Sequence, residues 1–156
     1  MFKLEWLNEA NAPRVMQIQR DDVPVCFAED IAYTIKLATY GDENHLRGHC
    51  YAVKHGEQYV GILLIGEAIP DSADPPELKG KDYFRIIGFV IDKGYRRQGI
   101  GSRALQAAMN EIYREYGHLP ILLECHQDNK AALDFYTKMG FRNTGILHEQ
   151  DYYFII

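Results

Sequence analysis

The segment Tyr95-Arg96-Arg97-Gln98-Gly99-Ile100-Gly101-Ser102 joins an apolar stretch, Phe84 to Ile91, to residues whose apolar positions recur with helical period. A strand that enters a glycine-rich turn and leaves as a helix constrains the chain strongly. The glycines allow backbone N–H groups to approach an anion closely, the helix start leaves those groups unpaired, and the helix dipole adds partial positive charge. Arg96, Arg97 and Arg103 place formal charge beside them. The turn is suited to a pyrophosphate; solvated surface arginines are the plainer reading of the same charges.

The 156 residues, 47% apolar and 25% charged, fit one globular domain able to bury roughly two thirds of its unfolded surface. No window approaches the roughly 20 apolar residues that cross a bilayer, and Met1 to Trp6 lacks signal-peptide features. The expectation is a cytoplasmic protein with no membrane partner. Cys26, Cys50 and Cys125 are odd in number, far apart and without metal-ligand spacing, so they read as reduced thiols, and no metal is expected. A net charge of -5 disfavours a nucleic-acid partner, because the one basic cluster is the glycine-rich turn. Acids fall instead in short groups, at Asp21-Asp22, Glu29-Asp30, Asp42-Glu43, Glu67 to Glu77 and Glu149 to Asp151.

Along the chain, Phe2 to Trp6 alternates as a strand, and Asn8 and Asn11 are candidate caps for a helix over about Pro13 to Arg20. Ala28 to Tyr40 supports a second helix. Cys50 to His55 and Gln58 to Ile65 flank Gly56-Glu57 as a hairpin, and Ile69 to Lys81, with its prolines and acids, reads as a loop near the mouth of a site. Phe84 to Ile91 is apolar on both faces, as in a central strand, with Gly88 marking a bulge, a close approach or simply lost packing. Gly99 to Tyr116 places Ile100, Ala104, Ala108, Ile112 and Tyr116 on one helical stripe. A strand from Pro120 to His126, a helix from Asp128-Asn129 to about Lys138, and strands over Phe141 to Gly145 and Asp151 to Ile156 complete the order β-α-α-β-β-β-α-β-α-β-β. That order predicts an α/β fold with a mixed (α+β) sheet and helices on its faces.

The succession strand, Arg96-x-x-Gly99-x-Gly101, helix, strand, Asn129-x-x-Ala132-x-x-Phe135-Tyr136-x-x-x-Gly140-Phe141 resembles the GCN5-related N-acetyltransferase family from Phe84 to Gly145. The resemblance implies an N-acetyltransferase domain over residues 1–156 with a splayed central sheet. Acetyl-CoA would be its co-substrate, with the pantetheine arm paired to backbone groups of Phe89, Val90 and Ile91. The amides of Arg97, Gln98, Gly99, Ile100, Gly101 and Ser102 would hold the pyrophosphate. Arg97 departs from a glycine found there in many members. Charge-assisted hydrogen bonds contribute roughly 1.5–3 kcal/mol each against about 0.3–1 for the dipole, so amide geometry should dominate.

Acetyl transfer needs a neutral amine, support for the oxyanion and a proton for the departing thiolate. The resemblance assigns Tyr136 to the last role. A phenol with a reference pKa near 10 stays protonated at neutral pH and can donate to a thiolate whose acid titrates near about 8.5. Helical spacing with Ala132 and Met139 also fits a plain core aromatic. Glu124 interrupts the apolar run Ile121 to Cys125 and shares a strand face with Leu122 and His126. Leu123-Glu124-Cys125-His126-Gln127-Asp128-Asn129 resembles the strand of ribosomal-protein N-terminal acetyltransferases in which the glutamate is the general base; Cys125 and His126 depart from it. An ordinary carboxylate near about 4.3 is poorly matched to an alkylammonium, so either a water relay or a burial-raised carboxylate is required, and a carboxylate tied to a neighbouring cation is the alternative. Asn129 reads equally as a CoA contact and as a helix cap. His126 reads as a polar strand end before a proton relay.

Val15 to Tyr40 resembles bacterial polyamine acetyltransferases, which implies a small-amine acceptor such as a polyamine drawn by the acidic groups. A protein N-terminus and a non-catalytic acyl-CoA-binding module are the alternatives. Tyr152 to Ile156 either completes the sheet or pairs with a second subunit as a homodimer.

Overall fold

The computed structural model describes residues 1–156. In chain order its elements are β1 (Phe2–Trp6), α1 (Ala12–Val15), α2 (Ile31–Glu43), β2 (Gly48–His55), β3 (Gln58–Glu67), β4 (Phe84–Ile91), α3 (Ile100–Tyr116), β5 (Ile121–His126), α4 (Lys130–Lys138), β6 (Arg142–His148) and β7 (Asp151–Ile155). The strands form one seven-stranded sheet in the order β1-β2-β3-β4-β5-β7-β6. Every pairing is antiparallel except β4 with β5, where the α3 crossover returns the chain in the same direction. β7 is hydrogen-bonded on both edges, to β5 and β6, so its apolar residues complete the sheet. No helix is long and apolar enough to cross a membrane.

One sheet face packs on α3 through Leu63, Ile65, Phe84, Ile86, Ile121, Leu123 and Phe154 against Leu105, Ala108, Met109 and Ile112. The other packs Cys50, Ala52, Ile62, Leu64 and Val90 against Val15, Ile18 and Ile31. Ile86 and Val90 therefore face opposite sides although they stand four positions apart, an even step that would keep them on one face of a regular strand. The phase flips at a bulge, where Gly88 and Phe89 together oppose Leu63 between the Leu64–Ile87 and Ile62–Val90 pairs. Gly88 has φ +69°, and a Cβ there would lie 2.1 Å from Thr34 Oγ1. The bulge thus needs glycine both for its backbone and for the close approach of α2.

The helices at the N-terminal end differ from expectation for local reasons. α1 stops at Val15, short of Arg20, because the chain is drawn toward the end of β4: Gln19 donates its N–H to Asp92 Oδ2 (2.9 Å) and accepts from Lys93 N (2.9 Å). Asn8 rather than Asn11 receives the helix-start amides, from Ala10 and Asn11, while Asn11 is buried and donates to Trp6 O. α2 begins at Ile31 instead of Ala28, since the carbonyls of Ala28 and Glu29 are taken by the Arg20 guanidinium. The segment Ile69 to Lys81 is a loop apart from a short 3-10 turn at Pro76–Leu78. It is pinned to the sheet, because Arg85 donates both terminal nitrogens to Asp74 (2.7 and 3.0 Å), Tyr83 donates its hydroxyl to the same carboxylate, and Leu78 is buried with Tyr83, Leu122, Tyr153 and Ile155.

Gly88→Ala should cost about 2 kcal/mol or more in urea unfolding, from the positive φ and the collision with Thr34. Thr34→Ala in the same chain should recover part of that loss in a double-mutant cycle; a neutral Gly88→Ala would contradict the packing described.

Candidate active site

β4 and β5 pair only at Phe84–Ile121 and Arg85–Leu122, and then separate. From Ile86 onward the β5-facing edge of β4 has no strand partner, nor has the facing edge of β5 from Leu123. Such edges present rows of N–H and C=O groups to any extended, amide-bearing chain that enters between them. Phe89, Val90 and Ile91 form the far end of this opening. The flipped phase turns Phe89 and Ile91 toward α3 and α4, with the Phe89 ring 6.1 Å from that of Phe135.

The turn that follows is folded by its own side chains. Asp92 Oδ1 accepts from Gly94 N (2.8 Å), Arg97 and Gly99 lie in the left-handed region at φ 61° and 77°, and α3 starts at Ile100. With Arg96 extended and Arg97 and Gly99 left-handed, the chain turns tightly into the N-terminus of a 17-residue helix, and its amides there make a candidate anion nest. Arg97 holds this conformation with a side chain, at a cost of about 1–2 kcal/mol that glycine would not incur. The arginines separate in role. Arg96 turns inward, donating from Nε to Ile91 O (2.8 Å) and from Nη1 to Asp22, while its Nη2 is buried without a protein partner. Its charge therefore braces the turn, and Arg97 and Arg103 are exposed cations beside the nest. Arg103 donates from Nε to Gly99 O (3.2 Å), which Ser102 Oγ also approaches (3.1 Å). Gln98 reaches back to Gly94 O. A Cβ on Gly101 would stand 3.6–3.9 Å from Ile91, Phe89 and Phe135, so the floor between nest and opening has room for little more than a methyl group. The orphan Arg96 donor, the nest and the free strand edges together fit a diphosphate with an amide-bearing tail.

Tyr136 is packed among aromatic side chains. Its ring packs edge-on against Phe135 (5.2 Å) and Phe141 (5.7 Å), and tilted against Phe154 (6.4 Å). Its hydroxyl has no hydrogen-bond partner in the protein, and burial, reinforced by the neighbouring Cys125 thiol, holds the phenol well above its ordinary pKa. A phenol so placed donates and does not ionise near neutrality. Asn129 is the cap of α4, its Oδ1 accepting from Ala132 N at 3.3 Å.

Glu124 stands on the opposite face of the sheet, beside Tyr153 on β7. Burial raises its pKa above the ordinary carboxylate range; Arg85 opposes that, Asp151 adds to it, and His148 opposes it again. Its side chain is still 36% exposed, and Oε1 lies 3.6 Å from Nδ1 of His148. Arg85 forms no ion pair with it, being committed to Asp74. His126, by contrast, is a fastener: Nδ1 accepts from Asp128 N (3.0 Å), which leaves Nε2 to donate to Gln150 Oε1 (2.9 Å) and ties β5 to the β6–β7 hairpin. Tyr136 and Glu124 lie on opposite faces of the sheet, near the stretch where β4 and β5 have parted.

On the Glu124 face, a cleft of about 560 Å³ runs between α2 and β2–β4, with Ile35, Ala38, Leu46, Leu64 and Ile87 among its walls and Arg85 at one end. Five of the acids expected to attract a polycation are held in ion pairs, Glu67 by Arg47 (3.1 Å), Glu77 by Arg142 (2.6 Å), Asp21 by Lys93 (2.7 Å), Asp22 by Arg96 and Asp74 by Arg85, whereas Glu29, Asp30, Asp42, Glu43, Asp71, Glu149 and Asp151 are not. Arg85 was legible as a charge inside a central strand, in the way that Glu124 was. His148 and Asp74 carried no local signal, since their neighbours are ordinary turn residues.

The chain is similar to known proteins across this region. It is 31% identical to N-acetyltransferase 8 of Homo sapiens over 64% of the chain and 41% of the relative. It is 36% identical to N-alpha-acetyltransferase 30 of Schizosaccharomyces pombe over 54% of the chain and 51% of the relative. The matches therefore span about half or less of those relatives' lengths. Its fold superposes on the PaiA N-acetyltransferase of Thermoplasma acidophilum, solved in complex with coenzyme A, with a TM-score of 0.71 at 15% identity over 99% of this chain and 98% of that one. The acetyltransferase (GNAT) family profile matches residues 12–141, which takes in β4, the glycine turn, α3, β5 and α4, and the chain belongs to that family.

Proposed function

We propose that the protein is an acetyl-CoA-dependent N-acetyltransferase acting on a primary amine. The observation that carries this reading is the two-residue pairing of β4 with β5, which leaves an opening reached by Tyr136 from one face and Glu124 from the other. Acetyl-CoA, when bound, supplies the activated acyl group. The amides of Arg97 to Ser102 hold its diphosphate, with Arg97 as the nearby exposed charge, and the free edge at Phe89 to Ile91 aligns the arm and offers N–H donors to the carbonyl oxygen. Tyr136 donates a proton to the departing sulfur. Glu124, its pKa raised by burial, accepts a proton from the incoming ammonium more readily than an exposed carboxylate does.

The acceptor is an amine carried on a partly apolar body, such as the first residue of a peptide. The apolar walls of the cleft beside Arg85 and Ile87 support this, as does the likeness to an N-alpha-acetyltransferase. Pairing of the acids around the site weakens the case for a polyamine, although Glu29, Asp30, Asp42 and Glu43 at the ends of α2 lie outside those ion pairs and keep it in the test. The protein with acetyl-CoA is offered peptides with apolar and polar first residues and a polyamine, and free thiol is followed. Amine-dependent thiol release, fastest with apolar peptides, is expected; tight CoA binding with no turnover on any amine would identify a binding module instead.

Tyr136→Phe should lower kcat by about 10²-fold or more with little change in acetyl-CoA affinity, the usual scale for a lost acid. Unchanged turnover would remove Tyr136 from that role. Because burial raises the pKa of Glu124 in the folded state, folding loses stability as pH rises from the ordinary carboxylate value through the raised one. Glu124→Gln should accordingly raise Tm at pH 7, and the gain should vanish at pH 3, while activity falls.

A further inference from the structure

We infer that His148 is the exit for the proton that Glu124 takes up, so that the base of this site is a Glu124–His148 pair; the inference rests on the transferase reading. Acetylation of an alkylammonium leaves three protons to place. One stays on the amide nitrogen, one goes to the CoA sulfur as the C–S bond breaks and the C–N bond forms, and one must leave through the base to solvent in each turnover. Glu124 is 36% exposed, and an acceptor amine seated on that exposed part would cover its direct route to solvent. His148 provides another. Its Nδ1 lies 3.6 Å from Glu124 Oε1, and its side chain is 42% exposed. The imidazole lies parallel to the Tyr153 ring (8°, centroids 6.0 Å apart) with Nδ1 3.4 Å from the Tyr153 hydroxyl, which fixes the ring plane over the carboxylate.

The surrounding charges leave His148 as the sole imidazole free for this work. Arg85 faces Glu124 but is held by Asp74 through two hydrogen bonds, and His126 has both ring nitrogens committed. Asp151 and Glu149 add negative charge from the β6–β7 hairpin, and Tyr153 is the remaining titratable neighbour. Histidine changes charge in the range where enzymes of this kind must release protons. The location explains why a hairpin end carries an aromatic-stacked histidine directly opposite the carboxylate.

Two measurements test the pair. By ¹H–¹⁵N NMR of the imidazoles, Glu124→Gln should move the Nδ1 resonance of His148, because the carboxylate oxygen lies 3.6 Å from that nitrogen. This reading needs no turnover, and an unmoved Nδ1 resonance would overturn the pair whether or not the protein acetylates amines. In the thiol assay, His148→Gln should lower kcat about tenfold with acetyl-CoA affinity unchanged, shift the acidic limb of the pH–rate profile, and respond to added imidazole. Wild-type kcat and pH profile in His148→Gln would overturn the relay, whereas absence of thiol release in the wild type would count against the transferase reading alone.

Discussion

The parallel pairing of β4 with β5 lasts for Phe84 and Arg85 and no further, and the site is built on that interruption. Below it, the strands are locked by buried groups: Leu78, Tyr83, Leu122, Tyr153 and Ile155 form an apolar cluster, and the Arg85–Asp74 pair closes over it with side chains only 16% and 5% exposed. A pair so buried is costly to desolvate, and it holds because the contact is bidentate and Tyr83 and the Asp71 amide satisfy the remaining carboxylate capacity. Above it, the Gly88 bulge twists β4 away and reverses its side-chain phase. The opening is thus fixed at its base and forced at its top, and neither part depends on a bound molecule.

This arrangement divides the chemistry between the two faces. The phenol of Tyr136 is kept protonated by its burial in an aromatic cage, and the carboxylate of Glu124 is raised by partial burial on the other side. Both shifts have the same cause, and the proposed reaction would put them to opposite uses, a proton given by Tyr136 and one taken by Glu124. The sheet between them prevents direct exchange, so acid and base meet only through whatever lies in the gap. Arg85 is the leading charge that opposes the rise at Glu124, but it is hydrogen-bonded to Asp74 and burial outweighs it.

Much of this was legible in the chain. The element order, the two-residue Gly56-Glu57 hairpin, the α3 stripe and the prominence of Glu124 all follow from short-range pattern, because periodicity and turn chemistry are local. What escaped was set by contacts between distant segments. The Asp92–Gln19 and Lys93–Gln19 bonds shorten α1, Asp22 captures Arg96 across 74 residues, and His148 reaches Glu124 from a hairpin with no motif of its own. Arg97 illustrates the same limit: its left-handed backbone is visible only once the turn is folded, although the family resemblance implies a position where glycine is usual. The acidic groups show a related limit, since composition records charge but not its partner, as at Glu67 with Arg47 and Asp22 with Arg96.

Backbone hydrogen exchange with and without acetyl-CoA examines the opening itself. If the thioester arm lies between the parted strands with its diphosphate in the nest, the amides of Phe89 to Ile91 and of Arg97 to Ser102 should gain protection together, while those of β1 and β2 stay unchanged. Binding of acetyl-CoA that leaves both segments exchanging at their free rates would contradict the account.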